Sequence, residues 1–231
     1  MPFLYFGPGM ILVVIGSIIA AIASWNMQRT FQKYDQYQNK HGYTGKEIAE
    51  LILQYAGIHD VRVEHISGQL TDHYDPKNKV LRLSDATYNR TTVTAVGVAA
   101  HECGHAVQDD QGYWFMRLRQ NIVPIVNIGS NLGLPILLLG TFFGLSQTFV
   151  NIGLILFSLT FIFQLITLPV EFDASKRALD IIEEKNLLTA GELPYAKKTL
   201  TAAALTYVAA AISSLLVLLR MVLIFGGRRH D

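Results

Sequence analysis

Four apolar stretches constrain this chain more than any other feature, because each is long enough to cross a bilayer, which takes about 20 helical residues. They run from about Phe3 to Trp25, Ile122 to Phe143, Phe149 to Leu168 and Ala202 to Phe225. The first holds no charged residue and lacks a basic segment before it, so it reads as an uncleaved anchor, not as a signal peptide. The fourth holds one charge, Arg220. Composition agrees: 51% of the 231 residues are hydrophobic and 16% are charged, against about 25% charged in an average soluble domain. The expectation is a mainly α protein of the cell membrane with about four transmembrane helices, the lipid bilayer being its first partner.

Other classes fall away on simple grounds. The net charge is +1 with no basic tract, so no nucleic-acid partner is expected. The apolar content excludes a disordered chain. A single cysteine, Cys103, excludes a disulfide scaffold.

The spans divide the chain into an anchor (1–25), a polar region (26–120), a transmembrane hairpin (121–170), a second polar segment (171–200) and a last span (201–231). Region 26–120 carries 11 of the 19 basic and 11 of the 18 acidic residues. Basic residues near the span ends set the orientation. Arg29, Lys33 and Lys40 follow the first span, Arg117 and Arg119 precede the second, and Lys176 and Arg177 follow the third. All fall on one side if spans two and three form a hairpin, which makes both polar segments cytoplasmic. Arg228 and Arg229 fit less well, since four full crossings place them outside.

Within the polar region, Thr44 to Tyr55 reads as an amphipathic helix with Thr44 and Glu47 as a capping box. Val61 to Ile66 alternates as a half-buried strand does. Two further strands, Leu70 to Tyr74 and Val80 to Ser84, flank the turn-rich segment Asp75 to Lys79. A second helix, about Thr91 to Gln108, carries small and apolar residues nearly all round. The polar region is thus a small α+β domain.

That second helix contains His101-Glu102-Cys103-Gly104-His105, the H-E-x-x-H pattern. Residues four apart share one helical face, so His101 and His105 can each direct a ring nitrogen at one zinc ion. Glu102 is offset from that face and can take a proton from a water attacking a carbonyl, then return it to the leaving amine. Cys103 points elsewhere on the helix and reads as a small buried residue, and Gly104 as a point of close packing.

An open catalytic site needs a third protein ligand. His41, His59, His65 and His73 qualify by type, but nothing in their spacing favours them. Glu171 and Asp173 are better placed, because the hairpin topology returns them to the side of His101 and His105.

The segment Ala99 to Gln108, with Leu70-Thr71-Asp72-His73-Tyr74-Asp75-Pro76 and Pro169 to Ser175, resembles the YugP-like membrane zinc metallopeptidases over almost the whole chain. More distantly the layout is similar to the HtpX-type gluzincins, whose third ligand is a glutamate on a later helix. That likeness implies a zincin-like metalloprotease domain, one Zn2+ per chain, and Glu171 as the third ligand. At Ser175 the distant relatives usually carry an aspartate. Its role is left unassigned here, with Asp173 as a candidate substitute.

A peptide or protein substrate would be held extended against a sheet edge. Val80, Leu81, Arg82 and Leu83 lie just before the zinc helix and are read as that edge. Tyr195, Tyr207 and Arg220 are candidates for stabilising an oxyanion, with none preferred. The expected function is a membrane-anchored zinc endopeptidase acting on membrane-proximal or unfolded proteins. Two alternatives stand beside it: an intramembrane-cleaving metalloprotease, and a catalytically inactive, zinc-stabilised membrane scaffold.

Overall fold

Each apolar stretch lies inside a longer helix. A computed structural model describes residues 9–142 and 147–225. The expected start of the first span at Phe3, the end of the second at Phe143, and Arg228 and Arg229 lie outside the described residues. The elements are α1 (Met10–Tyr34), α2 (Gly45–Tyr55), β1 (Arg62–His65), β2 (His73–Asp75), β3 (Val80–Leu83), α3 (Val93–Asp110), α4 (Trp114–Phe142), α5 (Gln147–Glu184) and α6 (Leu193–Phe225). Helices α1, α4, α5 and α6 are long and apolar enough to cross a membrane. In the apolar window of α1 only 6% of residues are buried within the chain. A soluble core helix would bury that stripe, so the exposed Ile11, Ile15, Ile18 and Ile22 need lipid instead.

The chain forms two compact units. One comprises the described parts of residues 1–24, 118–168 and 206–231; the other comprises 25–117 and 169–205. In the first unit α4 and α5 approach through glycines. A Cβ at Gly133 would lie 2.9 Å from the Phe157 nitrogen, and one at Gly153 would lie 2.8 Å from that of Leu137. Small residues at such crossings let dispersion contacts form where lipid removes the hydrophobic drive. Ser213 donates to the Gly16 carbonyl at 2.7 Å, tying α6 to α1.

In the second unit local chemistry starts each helix. Thr44 accepts from the Glu47 amide while the Glu47 carboxylate receives the Thr44 amide, closing the capping box of α2. Thr92 caps α3 by accepting from the Ala95 amide at 3.2 Å, an arrangement worth about 1 kcal/mol. Thr92 and Thr94 both donate to Asp35 Oδ1, at 2.7 and 2.8 Å, and Arg90 binds the other oxygen at 3.0 Å. The end of α1 is thereby fastened to the start of α3. Ile48, Ile52 and Leu53 of α2 share one core with Val96, Ala99, Ala100 and Cys103 of α3 and with Ala178 and Ile182 of α5.

The three strands form a sheet in the order β1-β3-β2. β3 pairs in parallel with β1, Val63 opposite Leu81, and antiparallel with β2, Tyr74 opposite Leu81. The expectation that Val80, Leu81, Arg82 and Leu83 offer a free edge is therefore corrected. Both sides of β3 are paired, Val80, Leu81 and Leu83 are buried, and Arg82 is held by Glu64 and Asp75. The open edges belong to β1 and β2. Strand β2 is also shorter than expected, because Leu70 takes a left-handed φ of 57° and Asp72 turns its carboxylate to the Ser84 amide and hydroxyl, at 2.8 and 2.7 Å.

Candidate metal centre

Two histidines on one face of α3 and one glutamate from α5 converge. The ring centroids of His101 and His105 lie 4.7 Å apart at 81°. Glu171 Oε2 stands 3.3 Å from His101 Nε2 and 3.6 Å from His105 Nε2. Two ligand atoms about 2.05 Å from one tetrahedral zinc ion would be about 3.3 Å apart, so both glutamate–histidine distances suit such an ion, and all three atoms lie within 4.8 Å of one another. Among the described residues this is the one group of three or more His, Cys, Asp or Glu side chains close enough to share a metal. His65 instead meets Asp85 at 2.6 Å, and His73 meets the Thr71 carbonyl at 2.9 Å.

The approach of α5 to α3 depends on Gly104. A Cβ there would lie 2.5 Å from the Ala174 carbonyl oxygen and 3.1 Å from its Cα. Only a residue without a side chain lets the two backbones come this near, and Glu171 reaches the histidines as a result.

The far nitrogens of both rings are also held. Gln108, fully buried, donates its amide to the Val170 carbonyl and to Asp173, each at 2.8 Å. Both donors are then spent, so its Oε1, 3.1 Å from His105 Nδ1, accepts a proton from that ring. This fixes the tautomer that leaves a lone pair on Nε2, facing Glu171. Ser175 Oγ lies 3.1 Å from His101 Nδ1, a hydrogen-bond contact that orients the other ring. The position at which distant relatives carry an aspartate is thus occupied by a hydroxyl that makes the contact itself, while Asp173 works through Gln108. Gln108 was not singled out in the sequence. Its signal was a polar amide three residues after His105 and on the same helical face.

Glu102 adjoins this cluster and is 8% exposed. Burial pushes its carboxyl up to about 7; His101 pulls down, Glu171 and Asp72 add to the rise, and the Tyr74 main chain pulls down. Cys103 lies on the other side of α3, its thiol directed at the Ala49 carbonyl 3.6 Å away. Burial raises that thiol well above its ordinary value.

A family described as putative neutral zinc metallopeptidase matches residues 9–226. The chain belongs to that family. Among curated relatives, the putative membrane protease YugP of Bacillus subtilis (strain 168) is 46% identical over 209 residues, covering 90% of this chain and 92% of the relative. No solved structure matches. Family membership implies zinc, and the donor set fits it: two imidazole nitrogens and one carboxylate oxygen, with no fourth protein ligand among the described residues. Of the oxyanion candidates, Tyr195 stacks on Tyr34 at 5.0 Å in the unit that holds this cluster. Tyr207 and Arg220 belong to the other unit.

Proposed function

We propose that this chain is a membrane-anchored, zinc-dependent endopeptidase whose active site faces the cytoplasm. One Zn2+ per chain would be held by His101, His105 and Glu171. The observation that carries the reading is the convergence of these three atoms beside a buried carboxylate, Glu102, that is not itself a ligand. When bound, zinc would supply the Lewis acidity that eases deprotonation of water and polarises the scissile carbonyl. Glu102 receives the proton from the attacking water and delivers it to the leaving amine. Gln108 and Ser175 hold the two imidazoles in orientation throughout. Membrane-proximal or unfolded proteins are the proposed substrates. An extended peptide would add to the open edge of β2, where the Tyr74 main chain faces Glu102.

The intramembrane alternative is not supported, because α3 is not among the helices apolar enough to cross a bilayer. The test uses the full chain purified in detergent with zinc, beside Glu102→Gln, on an unfolded protein substrate at matched zinc occupancy. The wild type should cleave and the variant should lose on the order of 10²–10⁴ in rate. Equal cleavage would indicate a contaminant. Zinc retention with no cleavage by either would favour the inactive scaffold.

A further inference from the structure

Outside the metal centre, α1 and α6 line an open pocket of about 350 Å³, room for roughly ten waters. Arg29 and Lys33 reach it from α1 and Lys198 from α6, and among the described residues no carboxylate lines it. Several other cations of the same unit have acidic neighbours: Lys79 with Asp109, Arg90 with Asp35, Arg177 with Asp173. Here two cations from different helices gather over one ring. Lys33 Nζ is 5.4 Å and Lys198 Nζ 5.9 Å from the centroid of Tyr34. That ring is buried and stacked on Tyr195 at 5.0 Å, so the floor is fixed. Ammonium groups this close to one ring are at most about 11 Å apart, and an anion between them relieves their repulsion.

The pocket's place along the chain narrows the anion. Its α1 residues begin at Asn26, immediately after the apolar stretch, and its α6 residues end at Ala202 and Leu205, where the other apolar stretch begins. Charges and apolar groups therefore meet at the level of a bilayer surface. Trp25, 60% exposed with the Arg29 guanidinium 5.3 Å from its ring, is the aromatic residue expected at that level. Basic pockets between helices at such a level suit phosphate headgroups.

We infer that this pocket binds the phosphate group of an anionic phospholipid, one per chain, with Arg29, Lys33 and Lys198 around the phosphate and Leu205 toward the lipid's apolar part. The inference rests on α1 and α6 crossing a bilayer and is independent of peptidase activity.

The test is thermal unfolding of the full, zinc-loaded chain in neutral detergent, titrated separately with phosphatidylglycerol, phosphatidylcholine and inorganic phosphate. Native mass spectrometry counts the lipid retained. The variants are Lys33→Gln with Lys198→Gln, and Arg29→Gln alone in case the pair fails to fold. Lys46→Gln with Arg62→Gln makes the same change of charge at exposed sites away from the pocket. Phosphatidylglycerol should raise the midpoint saturably, with one lipid retained, in the wild type and the control pair. The pocket variants should need at least about tenfold more lipid for the same rise. An equal rise with phosphatidylcholine, or an undiminished response in both pocket variants, would overturn the site. An equal, saturable rise with inorganic phosphate would overturn the lipid assignment in favour of a soluble anion.

Discussion

Glu102 sits where a carboxylate is costly, and the cost should be measurable without any turnover. Its ordinary value of 4.5 is displaced to about 7 in the folded, metal-free chain, chiefly by burial. Between those two pH values the unfolded chain gives up this proton while the folded chain keeps it. The stabilisation is complete below about pH 4.5 and is lost as pH rises through about 7. Glu102→Gln removes that dependence. After zinc is stripped with a chelator, the variant should be more stable than the wild type at pH 8 by on the order of 3 kcal/mol. The difference should vanish at pH 4. Equal melting curves at both pH values would contradict the burial argument. Ser175 gives a second prediction at this scale. Ser175→Ala should weaken zinc affinity by roughly 10–100-fold in chelator competition, and Ser175→Asp should restore it, because either acceptor can hold His101 Nδ1.

At the scale of elements, the contact between α3 and α5 controls the metal site. Gly104→Ala puts a methyl 2.5 Å from the Ala174 carbonyl oxygen, which is backbone and cannot swing aside. The helices must separate, costing about 1–3 kcal/mol and drawing Glu171 from the histidines. Both the melting temperature and zinc affinity should fall. A variant that loses stability but binds zinc as before would uncouple the two. Much at this scale was legible in the sequence. The capping box of α2 and the face shared by His101 and His105 follow from spacings of three and four residues, which a helix enforces locally. The position of β3 was not legible. Alternation says which side chains share a face but not which strand lies alongside, and β1 pairs directly with β3, passing over β2, which intervenes only in the sequence. Glu171 was reachable only by likeness and by the return of the hairpin, because its approach depends on a glycine in another helix.

At the scale of the whole molecule, the proposed orientation puts the Asp75–Lys79 turn on the cytoplasmic side. A protease-cleavable tag inserted after Lys77, in a turn where the Asp75 carboxylate receives the Lys77 and Asn78 amides, should be cut in inverted vesicles and protected in right-side-out ones. The opposite pattern would move the whole metal centre outside. Cys103 is the sole sulfhydryl of the chain. It is fully buried, aimed at a main-chain carbonyl, and held as the unreactive thiol by its surroundings. The proposed ligands are nitrogen and oxygen atoms, so no oxidisable ligand holds the metal. Peroxide or disulfide stress, which ejects zinc from thiolate sites, should leave this centre loaded, and its activity should not follow the redox state of the compartment it faces.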